Sequence, residues 1–147
     1  MLKKLVYVST IFILTFMTGC STFNQAWKKN GPALSSTNDM SGRWVGVWKS
    51  APSGHTDKLK CIMTKEDETH YKAWFHAKYR KIFTFEYTVN LTANKNGDEF
   101  KFEGEANLGK LAGGVYHYLG TATPEDLKAT YSCKYDHGVF ELQRPKK

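Results

Sequence analysis

Ile82-Phe83-Thr84-Phe85-Glu86-Tyr87-Thr88-Val89-Asn90-Leu91-Thr92-Ala93 alternates apolar and polar side chains almost without a break. Successive side chains of a strand point to opposite faces. Phe83, Phe85, Tyr87, Val89 and Leu91 therefore share one face, and Thr84, Glu86, Thr88 and Asn90 share the other. A helix would scatter the same residues around its circumference, so the period of two predicts a half-buried strand.

The same alternation extends in both directions. Candidate strands run over residues 43–50, 57–64, 71–79, 82–93, 99–105, 114–121, 126–134 and 139–144. Turn signals separate them: Pro52-Ser53-Gly54, the charged run Lys65 to Glu68, Asn96-Gly97, Pro124 and Asp136-His137-Gly138. Asn96-Gly97 supplies the positive-φ pair that a tight hairpin needs. No long stripe of period 3.6 occurs after residue 40. Nearly every strand has one apolar and one wet face, and the connections are short. The expectation is all-β, an eight-stranded up-and-down antiparallel barrel around one core, because a Greek-key sandwich needs longer crossings. Closure also removes exposed strand edges.

The chain ahead of the barrel reads differently. Lys3-Lys4 precedes an uncharged run from Leu5 to Met17, too short for the ~20 residues of a spanning helix and suited to an export signal. Met17-Thr18-Gly19-Cys20 closes it. This stretch resembles the lipobox of bacterial lipoproteins, with Met17 where a branched aliphatic is usual. The resemblance implies a signal helix over residues 1–19, removed on export, and a diacylglyceryl group on Cys20, which anchors the mature chain to a membrane. Ser21 resembles the default outer-membrane sorting pattern of a Gram-negative source, which implies a cell-envelope protein on the periplasmic face of that membrane. Residues 20–40 are polar, show no hydrophobic periodicity, and read as a lipidated cysteine and flexible tether of about 25 Å root-mean-square span. Trp27 is its one anomaly. Residues 41–147 form a single domain of about a hundred residues.

Gly42-Arg43-Trp44 opens the first strand, and Arg144 shares the inward face of the last with Phe140 and Leu142. This pairing resembles the lipocalin (calycin) family, over residues 42 to 144. The resemblance implies that Trp44 plugs one barrel end and that Arg144 stacks across it by a cation–π contact. It also makes a small or apolar ligand in a narrow lumen the leading expectation, with Tyr71, Phe75, Tyr87, Tyr116, Tyr118 and Tyr131 as candidate lining residues. The inward faces are otherwise heavily aromatic, including Trp48, Phe83, Phe85, Phe100 and Phe102. An eight-stranded barrel barely holds its own side chains, so a filled lumen is the competing expectation. A second functional class remains open: periplasmic protease inhibitors of bacterial origin resemble this plan, with the segment before the barrel inserting into the protease. A purely structural envelope role is the third.

The chain carries 21 basic and 14 acidic residues, formally +7. Without Lys3 and Lys4 the mature chain keeps 19 basic residues and a net charge of +5. The charge is scattered, with Lys78, Arg80 and Lys81 as its one tight cluster. Scattered charge speaks to solubility rather than a nucleic-acid site. His55, His70, His76, His117 and His137 lack the spacing of a metal pair, and no nucleophile elbow or phosphate loop occurs. Asp136-His137-Gly138 reads as turn chemistry. The expectation is a monomeric non-enzyme with no metal and no cofactor. Cys61 and Cys133 both fall on inward faces. A disulfide between them would close a loop of about 72 residues and contribute on the order of 4 kcal/mol, but their strands are not neighbours. Both a bridge and two inert thiols stay open.

Overall fold

The computed structural model describes residues 22–30 and 38–146. Eight antiparallel strands close into a barrel in chain order: β1 Gly42–Ser50, β2 Thr56–Lys65, β3 His70–Tyr79, β4 Phe83–Asn96, β5 Glu99–Asn107, β6 Val115–Ala122, β7 Asp126–Ser132 and β8 His137–Gln143. The β1–β8 ladder, from Val45↔Gln143 to Ser50↔Gly138, completes the wall. This is the up-and-down architecture that the alternation predicts. A short 3-10 helix, Lys110–Ala112, lies between β5 and β6.

Alternation places the core. Trp44, Leu59, Cys61, Met63, Tyr71, Ala73, Phe75, Val89, Leu91, Phe102, Tyr118, Leu127, Phe140 and Leu142 are buried in one continuous cluster. One end of the barrel gathers the start of β1 and the end of β8; it is closed by Met40, Trp44 and Arg144. The other end gathers the β1–β2, β3–β4, β5–β6 and β7–β8 connections and forms the mouth.

Two departures from the sequence reading have clear physical causes. Residues Thr22–Lys29, read as tether, form a helix, α1. Phe23 and Trp27 lie four residues apart and so share a helix face. Phe23 is fully buried, edge-on to Trp74 at 5.1 Å and stacked on His76 at 4.8 Å. The Arg43 and Lys60 cations each sit 4.9 Å from the Trp27 ring centre. The Arg43 guanidinium also donates to the Trp27 carbonyl at 3.1 Å. The helix thus covers the outer face of β1, β2 and β3, where Ile62 is buried although it points away from the lumen. The signal helix, Cys20 and residues 31–37 lie outside the described residues.

The second departure is Phe83 and Phe85, expected inside and found 56% and 54% exposed. β4 pairs with β5 only from Asn90 onward, whereas β3 follows it back to Phe83. The β3–β4 hairpin therefore overshoots the rim. Its first residues keep the inward phase of the strand but have no lumen to point into.

Candidate functional site

Five of the six candidate lining residues meet below the mouth. Phe75 stacks on Tyr87 at 5.3 Å and on Tyr118 at 6.4 Å. Phe140 packs between Phe75, Tyr118 and Tyr131 at 5.4, 5.9 and 5.1 Å. Tyr116 lies 6.4 Å from Tyr118 and 6.1 Å from Tyr131. Tyr71 is not among them; it is buried at the closed end, 6.3 Å from Phe100. The resulting column of rings fills the lumen. The internal void is about 10 Å³, bounded by apolar and aromatic side chains such as Met63, Phe75, Phe102 and Phe140. Pockets for small molecules are typically some 300–1,000 Å³, and a void of this size barely accepts one water-sized sphere.

The hydroxyls of Tyr87, Tyr116, Tyr118 and Tyr131 all find partners, as buried phenols require. Tyr87 and Tyr118 hydrogen-bond to each other. Tyr131 donates to the Asp136 carboxylate at 3.1 Å, which also accepts from the Ser50 hydroxyl at 2.7 Å. Tyr116 bonds to the Cys133 sulfur, which accepts the Asp136 amide at 3.3 Å. Burial pushes the tyrosine hydroxyls of this column well above their usual pKa. They are neutral, and their hydrogen bonds are committed to holding the mouth together.

Cys61 and Cys133 are both free. Cys61 faces the barrel interior, where burial raises its pKa strongly, whereas Cys133 lies half-buried just beyond β7 at the mouth. β2, which carries Cys61, and β7, which precedes Cys133, are separated around the wall by β1 and β8. At the closed end Arg144 stacks 3.8 Å from the Trp44 ring centre, and an added methyl at Gly42 would meet the Arg144 guanidinium at 3.0 Å. Among the described residues, no group of three or more His, Cys, Asp or Glu could hold a metal.

What the mouth does present is its β3–β4 hairpin. Arg80 and Lys81 have φ of 51° and 60°. Left-handed backbone is unfavourable for side-chain-bearing residues, about 1–2 kcal/mol each. The lock is Asp57, whose buried carboxylate accepts the Lys81 amide at 2.8 Å and the Lys58 amide at 2.8 Å. Beside it, His55 packs between Trp48 at 5.0 Å and Tyr79 at 4.8 Å, and the Trp48 indole donates to the Lys78 carbonyl at 2.8 Å. The turn thereby offers Ile82, 81% exposed, with Phe83 and Phe85 behind it. Leu111 and Tyr135 extend the exposed apolar surface to other mouth loops. The Lys78-Arg80-Lys81 cluster is visible in the sequence, whereas the exposure of its apolar neighbours is not.

The two amide bonds, Lys81 first, hold the Asp57 carboxyl below its usual range. A depressed native pKa stabilises the fold above the ordinary aspartate value of about 3.9, and that stability is lost as pH falls through the native value. Acidification below about pH 4 is therefore expected to release the hairpin before the barrel. Hydrogen exchange at the Lys81 amide reports it. Asp57→Ala should produce the same release at neutral pH, costing about 2 kcal/mol for the lost charged acceptor. Unchanged Lys81 protection in that variant would mean that Asp57 does not lock the hairpin.

No protein-family model matches the chain, and no curated protein matches it. Among the described residues, no helix is long and apolar enough to cross a membrane.

Proposed function

We propose that the chain is a lipid-anchored cell-envelope lipoprotein whose barrel is a non-catalytic binding module working through its mouth and outer surface. The filled lumen carries this reading. A void of about 10 Å³ is far smaller than an enclosed apolar ligand, which favours a partner met at the outside. The mouth, by contrast, holds Ile82, Phe83, Phe85, Leu111 and Tyr135 in solvent. Support for the anchor is Met17-Thr18-Gly19-Cys20 after its short apolar run. Acyl chains contribute about 0.8 kcal/mol per buried methylene, so two or three on one cysteine hold a protein at a bilayer. In a Gram-negative cell, Ser21 favours the periplasmic face of the outer membrane.

The protease-inhibitor alternative is disfavoured by α1. The segment that would enter a protease cleft instead has Phe23 and Trp27 committed to the barrel's own outer wall.

Growth of cells expressing the whole chain on labelled palmitate tests the anchor. Label in the wild type and none in Cys20→Ser is the expected result; label retained by Cys20→Ser overturns it. Native mass spectrometry of the acylated protein should give the mass of the chain and its lipid alone, and a stoichiometric extra ligand would contradict the filled lumen.

A further inference from the structure

The β3–β4 hairpin combines four properties that usually occur apart. It overshoots the rim, with Phe83–Val89 of β4 lacking a β5 partner. Its tip exposes Ile82, Phe83 and Phe85. The stretch from Lys78 to Phe85 carries three cations and no acid. Finally, two of those cations occupy left-handed backbone, at a turn where glycine or asparagine would be relaxed. A turn selected only to reverse the chain would not place Arg80 and Lys81 there, nor commit the buried Asp57 carboxylate to holding the Lys81 amide.

We infer that this hairpin tip is a membrane-contact element: Ile82, Phe83 and Phe85 enter the interfacial layer of a bilayer while Lys78, Arg80 and Lys81 meet its anionic head groups. This rests on the proposed Cys20 anchor for its placement, and the chain geometry agrees with that anchor. Phe23 stacks on His76, on the outer face of the strand that leads to the tip. Arg80, where the turn begins, lies four residues farther along, about 13 Å at strand rise. Cys20 is three residues before Phe23 and so within about 10 Å of it by covalent reach alone. One bilayer surface can therefore receive both acyl chains and hairpin. Aromatic and aliphatic side chains with a rim of cations are the composition that binds anionic interfaces. A protein partner would be served by the apolar residues, but it gives no reason for three cations gathered beside them at the tip.

The test uses the whole acylated chain in vesicles, with Ile82→Cys in a Cys133→Ser background carrying an environment-sensitive fluorophore. A matching label replaces Asp98, on the β4–β5 turn at the closed end. In phosphatidylglycerol vesicles the label at 82 is expected to shift to the blue and to be quenched by lipid-borne quenchers. The label at 98 should stay at its aqueous wavelength. Arg80→Gln with Lys81→Gln should lower the ratio of docked to undocked tip about twenty-five-fold, fivefold per cation near an anionic surface. An aqueous label at 82 in vesicles that carry the protein overturns the proposal, as does equal behaviour in anionic and neutral phosphatidylcholine vesicles. A blue shift without vesicles that grows with protein concentration also overturns it, in favour of a protein contact. If instead Cys20 proves unacylated, the label at 82 still reports the tip in protein added to preformed anionic vesicles, so the two failures are told apart.

Discussion

Trp44→Ala is expected to lower stability by about 4 kcal/mol, the range for truncating a buried tryptophan, read as the fall in denaturation midpoint of the whole chain in detergent. The indole is fully buried, and its N–H donates to the Met40 carbonyl at 2.9 Å. Above it lies Arg144, which donates to the Ser41, Pro124 and Asp39 carbonyls at 2.6, 3.1 and 3.2 Å. One guanidinium thus ties the segment entering β1, the β6–β7 loop and the end of β8 over a single ring. Arg144→Lys keeps the charge but loses the planar fork and the stacking that a point ammonium cannot reproduce. A cost of about 2 kcal/mol follows from the carbonyls left without donors. Because ring and guanidinium support each other, the double variant should cost clearly less than the sum of the single ones. Strict additivity would mean that the plug is two independent contacts.

That plug was legible in the sequence because it rests on local phase and on a recognisable residue pair. Trp44 and Arg144 sit on inward positions whatever the length of the strands. The same reasoning located the aromatic column, since period-two alternation fixes which side chains share a face. It failed at Phe83 and Phe85 because phase says which way a side chain points, not where the wall ends. The wall ends where β5 stops pairing, at Asn90↔Glu105, and that is set by strand stagger around the barrel. Tyr71 was misplaced for a related reason: its phase was right but its height along the axis was not. Turn chemistry misled in both directions. At Asn96-Gly97 only Gly97 has positive φ, and Asn96 remains in the strand. The left-handed pair falls instead on Arg80 and Lys81, which no propensity favours there. Helix α1 was hidden because eight residues give too short a window for periodicity, although the spacing of Phe23 and Trp27 was its trace.

Gly46→Ala is expected to be as damaging as the loss of the plug, for a reason that lies in the seam between the two ends of the domain. β1 and β8 come from opposite ends of the barrel sequence, and their ladder is what turns a curled sheet into a closed one. At Gly46 an added methyl would overlap the Glu141 carbonyl oxygen and lie 2.9 Å from the Leu142 Cα. At Gly138 it would overlap the Lys49 carbonyl oxygen on the opposite strand of the same seam. Both obstacles are backbone, so no rotamer change relieves them. The strands must part, which withdraws several ladder bonds at once. A cost of about 3 kcal/mol or more is expected for either variant. Opening should also expose two unpaired edges, which pair with other chains, so at equal concentration the variants should associate more than the wild type. Gly54→Ala provides the contrast. It has φ of 67° but nothing within 4 Å of an added methyl, so it tests conformation without crowding and should cost only about 1 kcal/mol. If Gly46→Ala and Gly54→Ala destabilise equally and neither associates, close approach of β1 to β8 is not what closes the barrel. If the seam variants alone unfold and oligomerise, closure depends on two glycines chosen for the space they leave between strands.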